Sequence, residues 1–426
     1  MMHRFVRMIL PIYILIMQLP PREAIPLSAV TVLGGALATT LVNSMRRHPI
    51  ADRPIICWDL ILVMEPLILV GALFGSMLHR LLSENVIVVM LVVFYSVTAR
   101  VTLIKAGRMH ESESKYIDEL ISTRMTTEQL RKDRTVTFEP SLLQSIDEIS
   151  SVMSPLPVKA AREKQRILIT NPDFVTLRSD LLEQEKVTPR EKILALCGMF
   201  SILIFLNIMV GGGAFVSPWG IKCGGIAFWV VHVIMAACLI AFAWAAQTYL
   251  VYRHEMKQIV DFDFVHGDIH WDSRSKIIYP LLFCSAGLFA GMFGIGGGMV
   301  IVPLLLAMGV HPAVATATSS CMTLFTTIAA TTEFSIYGLV MWDYAIVCFV
   351  IGFCAALFGQ KIMAYARDTN GGNFKRNSLI AYSIGCVILV SALLMTVLYI
   401  SIMFEIVTFD DNGDGGICVG YSRLAT

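Results

Sequence analysis

Two sets of residues in this sequence have the types and spacing to line a ligand site between broken apolar helices. One is the glycine run Gly296, Gly297 and Gly298, which would let backbone approach a ligand and turn sharply. The other is a set of hydroxyls placed where helices restart after a break: Thr316, Thr318, Ser319 and Ser320 after His311-Pro312, and Ser28 and Thr31 after Pro20-Pro21. A helix N terminus presents unpaired backbone N–H groups and a partial positive charge, and hydroxyls there can donate to oxyanion oxygens without burying a full cation. Each set also has a plainer structural use. Hydroxyls bond to carbonyls of their own helix. Gly294-x-x-x-Gly298, like Gly287-x-x-x-Gly291, is a small-xxx-small pattern for close helix packing. Packing is the reading for Gly287 and Gly291 and a site role for Gly296 to Gly298, while both readings stand for the hydroxyls.

Charged residues inside apolar runs come next, because each costs about 2.5 to 3.5 kcal/mol at the centre of a membrane helix. Glu65 lies mid-run before Pro66 and is the candidate proton-coupling carboxylate, with an interhelical structural bond as its other use. Asp59 and Asp343 open their runs, where capping is expected, and Glu333 is expected at an interface near a helix end. His232 is read as a helix-contact histidine rather than a proton relay.

The elements that must position these groups are membrane helices. Of 426 residues 56% are hydrophobic and only 15% charged, with a mean hydropathy of +0.70, outside the soluble range. A net charge of +1 gives no sign of a nucleic-acid partner, so the lipid bilayer is the expected one. The ten cysteines form no CxxC and lie mostly in or beside apolar runs, so neither a disulfide framework nor a metal site is expected, and no cofactor is implied. The loop 252–276 mixes Asp261, Asp263, Asp268 and Asp272 with His254, His266 and His270, but in no ligand spacing. The tail places Asp410, Asn412, Asp414 and Gly415 as in a calcium loop, yet Tyr421 stands where a bidentate Glu belongs.

The expected fold is an all-α polytopic membrane protein of two related helical repeats, with about nine full spans of ~20 residues plus two short half-segments. Residues 1–104 form the first membrane repeat. Its connector carries Arg46, Arg47 and Arg53 and is placed on the cytoplasmic side by the positive-inside rule. Residues 105–191 form a charged cytoplasmic linker with amphipathic helices expected near 114–130 and 141–153, and 192–276 two connecting spans and a polar loop. The second membrane repeat covers 277–405 and a polar tail 406–426.

The repeat is legible in paired landmarks. Pro303, His311-Pro312, a Thr/Ser-rich helix start and Trp342-Asp343 in one half match Pro11, Pro20-Pro21, the start at Ala24 to Ser28 and Trp58-Asp59 in the other. Trp58 to Gly75 and Trp342 to Gly359 have equal spacing. A helix and glycine loop precede Pro303, whereas ten residues without glycine precede Pro11, so the first copy is expected to be incomplete at its start. That also accounts for an N terminus that superficially resembles a signal peptide but lacks its cleavage site. Basic residues Arg367, Lys375 and Arg376 favour an inverted relation between the repeats.

The run AGLFAGMFGIGGGMVIVPLLLAMGVHPAVATATSS, the later ALFGQKI, and AIPLSAVTVLGGA with RRHP and RPIICWDLILVMEP together resemble the TauE/SafE sulfite exporter family, especially its eukaryotic branch with a long central loop. The resemblance covers roughly 8–104 and 277–405. It implies a transporter of small sulfur-containing anions such as sulfite or organosulfonates, in an integral multi-pass membrane location, which membrane being left open. Oligomeric state is likewise open. The rival expectation is a non-transporting scaffold or receptor that docks soluble partners through 105–191. A membrane enzyme is disfavoured, because no catalytic cluster or nucleophile elbow occurs at a bilayer edge.

Overall fold

The computed structural model describes residues 10, 12–14, 17, 19–48, 52–133, 183–187, 189–215, 217–221, 224–259, 275–294, 297–369 and 377–403. Apart from one β-bridge between Arg47 and Pro54, every regular element among these residues is helical. In chain order the helices are α1 (Pro21–Ser44), α2 (Trp58–Leu81), α3 (Glu84–Asp133), α4 (Arg190–Val210), α5 (Ile226–Ile259), α6 (Ser275–Phe293), α7 (Gly298–Ala307), α8 (Pro312–Ile336), α9 (Trp342–Thr369) and α10 (Asn377–Met403). By length and composition α1 to α5, α8 and α9 can each cross a bilayer, and the apolar parts described in α6 and α10 are shorter.

Prolines set several of these boundaries. Pro20-Pro21 opens α1 and Pro312 opens α8, each at a place where a missing N–H costs nothing. As a result α1 begins earlier than its hydroxyls imply: Ser28 lies in its third turn and not at its N terminus. The linker is also more helical than expected at its start. Glu84–Asp133 has no proline, so α3 runs straight on from its apolar stretch Asn85–Ile104. It thereby absorbs the expected helix at 114–130, with Glu111 and Lys115 paired one turn apart at 2.8 Å. The expected helix at 141–153, most of the polar loop before α6 and the calcium-like tail lie outside the described residues.

Side-chain and backbone contacts fix the directions of the helices. Cys57 N donates to Thr318 Oγ1 at 3.0 Å, Thr326 Oγ1 donates to Glu65 Oε1 at 2.9 Å, and Ser76 donates to Glu333. Rising numbers on α2 thus meet rising numbers on α8, so these helices are parallel. The short connector after α1 turns the chain back, and Asn43 near the end of α1 donates to Ser320 near the start of α8 at 3.2 Å. Hence α1 and α8, which hold equivalent places in the repeat, run antiparallel, as the basic residues after α9 favoured.

α2 and α6 meet backbone to backbone, as do α1 and α9 at Gly34 and Gly352. A Cβ added at Gly71 or Gly75 would lie 2.0 or 2.2 Å from the carbonyl oxygen of Cys284 or Leu288. A Cβ on Gly287 or Gly291 would meet Ile68 and Ala72 oxygens at 2.0 and 2.2 Å. Four glycines therefore let two backbones touch, the packing expected for Gly287 and Gly291. One large apolar cluster joins α2, α4, α5, α7 and α8, and a second joins α1, α3, α10 and the ends of α6 and α8.

Candidate anion site

The broken segment is built by backbone geometry. α6 stops at Phe293, Gly294 takes φ +62°, and Gly297 takes φ +64° as the left-handed cap that starts α7. A side chain at either position would be strained. Gly294 also sits against α1, where Ser28 Oγ donates to its carbonyl at 3.3 Å and to Ile25 O at 2.8 Å. Gly297 and Gly298 are buried, while Gly296 lies outside the described residues.

The nominated hydroxyls fall into two groups at different depths. Ser28 and Thr31 sit beside the glycine break, and Thr31 donates to Leu27 O and bonds Tyr13 Oη, both at 2.9 Å. Thr318, Ser319 and Ser320 sit near the other end of α1, by Asn43. Ser28 and Asn43 are separated by about 22 Å of helix at ~1.5 Å per residue.

The hydroxyls also differ in what they have left to offer. Thr316 donates to Pro312 and Ala313 carbonyls, and Ser320 donates to Ala317 O while accepting from Asn43. Their donors are consumed by the helix itself. Thr318 accepts from Cys57 N. Ser319 is fully buried, and its Oγ has no hydrogen-bond partner among the described residues. The start of α8 is largely closed by its own residues: Pro312 has no N–H, His311 Nδ1 accepts from Ala313 N, and His311 O accepts from Ala315 N. Ser319 is therefore the hydroxyl of the second group with no partner among the described residues, while Thr318 is bonded only as an acceptor.

Glu65 is fully buried between α2 and α8, with one oxygen bonded to Thr326 and the other without a partner among the described residues. Thr326 belongs to a buried polar stripe on α8 with Thr323 and Thr327, legible in sequence only as a Thr-rich helix. Glu333 lies in the last turn of α8, as expected, and is 2% exposed and receives a hydrogen bond from Ser76, because α2 and α8 pack side by side to their far ends. One expectation is corrected here. Asp59 does not cap α2, whose N-cap residue Cys57 has no side-chain cap; it pairs instead with Lys192 of α4. His232 bonds Phe228 O at 2.9 Å on its own helix and lies tilted beside the Phe228 ring, while its Nε2 has no partner among the described residues.

Among the described residues no three His, Cys, Asp or Glu side chains are grouped to hold a metal ion. A multi-helix bundle with oppositely directed repeats, a helix broken at glycines inside the bundle and a buried carboxyl belongs with multi-pass membrane transporters and not with enzymes. The family model of the sulfite exporter TauE/SafE matches residues 7–145 and 193–395, and this chain belongs to that family. It is 25% identical over 388 residues to sulfite exporter TauE/SafE family protein 5 of Arabidopsis thaliana, covering 91% of this chain and 76% of that protein. It is 26% identical over 397 residues to family protein 2 of the same plant, with the same coverages, and 23% identical over 417 residues to family protein 6, covering 97% and 79%. No solved structure matches the chain.

Proposed function

We propose that this protein is a secondary transporter that moves small sulfur-containing oxyanions, of the sulfite or organosulfonate kind, across its membrane, coupled to protons through Glu65. The carrying observation is the buried pairing of α2 with α8, where a carboxyl with one unpaired oxygen and a stripe of hydroxyls lie inside an apolar bundle. Polar groups so placed are costly unless used, and a proton on Glu65 Oε2 is the simplest way to remove the buried charge. Gly297, Gly298, Ser28 and Thr31 form one half-site at the broken segment. Thr316, Thr318, Ser319 and Ser320 form the other, with Ser319 the leading donor. The relatives' names, which speak of sulfite export, support the choice of substrate class.

The test is flux of sulfite, thiosulfate, sulfate and a small sulfonate in liposomes containing the full chain, under imposed proton and sodium gradients. Accumulation of one sulfur oxyanion driven by a proton gradient is expected. No flux under any gradient sinks the proposal. The scaffold reading has one observation in its favour, the part of α3 that continues beyond Ile104 to Asp133.

A further inference from the structure

At the end of the bundle that holds the basic connector there is a cleft of about 160 Å³, roughly ten times the space a single water needs. Its walls come from parts of the chain far apart in sequence: the connector, the end of the central linker, the start of α4, the last turns of α5 and the α7–α8 link. Four cationic side chains line it, Arg53, Lys192, Arg253 and Lys257, against two carboxylates, Asp59 and Glu185. Among the described lining residues the cations thus outnumber the carboxylates by two in a partly enclosed space, where they attract anions more strongly than on an open surface.

The carboxylates are already engaged. Asp59 pairs with Lys192, while Glu185 takes Lys257 and lies 4.0 Å from Arg53. These groups are well shielded, with Lys192, Lys257 and Glu185 side chains 10%, 13% and 16% exposed. Arg253 is different. Its Nε is buried and has no hydrogen-bond partner among the described residues. Glu185 is brought in by the linker's end, which is also held where Arg47 Nη1 donates to Lys186 O at 3.0 Å. On its inner side the cleft is lined by Val314, one helical turn before Thr318 and next to the half-site that holds Ser319.

We propose that this cleft is an anion-binding vestibule for a small oxyanion, and that Glu185 is a tethered carboxylate occupying it until a free anion displaces it from Lys257 and Arg53. Arg253 supplies the donor that Glu185 leaves unused. The linker end is then a competitive plug on the path to α8. The vestibule rests on the transport reading only for the choice of sulfur oxyanions as ligands.

The test is anion binding to the purified full chain in a neutral detergent. Sodium sulfite or thiosulfate is titrated against sodium chloride at equal ionic strength, read by calorimetry and by the shift in thermal midpoint. Saturable binding is expected in the unaltered protein. Glu185→Gln should tighten it by about tenfold, since the competitor's charge is gone, and Arg253→Gln, which breaks no ion pair among the described residues and removes only a longer-range charge acting on Asp59, should weaken it by about tenfold. Affinities unchanged in both variants overturn the vestibule, as does a shift that chloride reproduces. A shift given only by vesicles of anionic phospholipid assigns the charge to headgroups and also overturns it. If Glu185→Gln does not yield a monodisperse protein, Arg253→Gln decides alone. Binding that obeys both variants without any liposome flux defeats the transport reading and leaves the vestibule standing. Flux with binding indifferent to both variants does the reverse.

Discussion

α2 and α9 hold equivalent places in the two repeats. Trp58-Asp59 opens one and Trp342-Asp343 the other, and Gly71-Ala72-Leu73-Phe74-Gly75 matches Ala355-Ala356-Leu357-Phe358-Gly359. Yet 89% of the α2 span is buried against 28% of the α9 span. Val63 is fully buried where its counterpart Val347 is 56% exposed, and Val70 is buried where Cys354 is exposed. The cause lies in the neighbours. α6, α5, α8 and α4 all pack on α2, whereas the main contact of α9 among the described residues is α1. The difference decides where polarity is tolerated. Glu65 sits on the covered helix, and its equivalent on the helix facing outward is Phe349. A carboxyl is bearable in the bilayer only where protein surrounds it.

The comparison can be broken most severely at the glycines. Gly71→Leu on α2, or Gly287→Leu on α6, drives a side chain into backbone, so the cost exceeds the ~1–3 kcal/mol usual for overpacking. Loss of monodisperse protein in detergent is expected. Ile351→Leu on the open face of α9 should change stability by no more than about 0.5 kcal/mol in the same measurement. If α9 proves equally sensitive, something covers it that the described residues do not include.

Next in size is Glu65→Gln. It keeps the bond from Thr326 and the shape of the site but removes the group that can gain and lose a proton. Flux should fall by at least about tenfold, or ~1.4 kcal/mol in barrier, and what remains should ignore the proton gradient. An unchanged rate and unchanged proton dependence would return Glu65 to a structural role. Phe349→Leu, the equivalent position, should leave the proton dependence intact.

The smallest effect compares the opening aspartates. Asp59→Asn leaves Lys192, 10% exposed, without its charge partner, which should lower stability by about 1–3 kcal/mol. Asp343 is exposed, and Asp343→Asn should stay within ~0.5 kcal/mol. Thermal midpoints of the two variants give the contrast directly, and equal shifts would deny the Asp59–Lys192 pair its structural role.

Much of this was legible in the residues. Proline positions, glycine spacing and long apolar runs are local features, and they anticipated the helices, the break before α7 and the packing use of Gly287 and Gly291. The division of labour among the hydroxyls was not legible. Ser320 spends its donor on Ala317 O three residues back, but that its oxygen accepts from Asn43, some 277 residues away in sequence, and that Ser319 meets no partner among the described residues, are set by packing. The burial of Glu333 was not legible for the same reason, since its partner Ser76 lies on another helix. The signal for the basic cleft was weakest, because Arg53, Glu185 and the pair Arg253 and Lys257 stand in three stretches far apart in sequence.

The sequence by itself determined that this is a helical membrane protein with a repeated half, a helix broken at glycines and one carboxyl deep in an apolar run. Those follow from hydropathy, backbone permissiveness and the cost of charge in lipid, which act residue by residue. Only the tertiary structure decided which of two matching helices is enclosed, which hydroxyl is left without a partner among the described residues, and that a linker carboxylate stands among the cations of a cleft. Those depend on which backbones approach closely enough to exclude both lipid and water, and that is a property of pairs of helices and not of either alone.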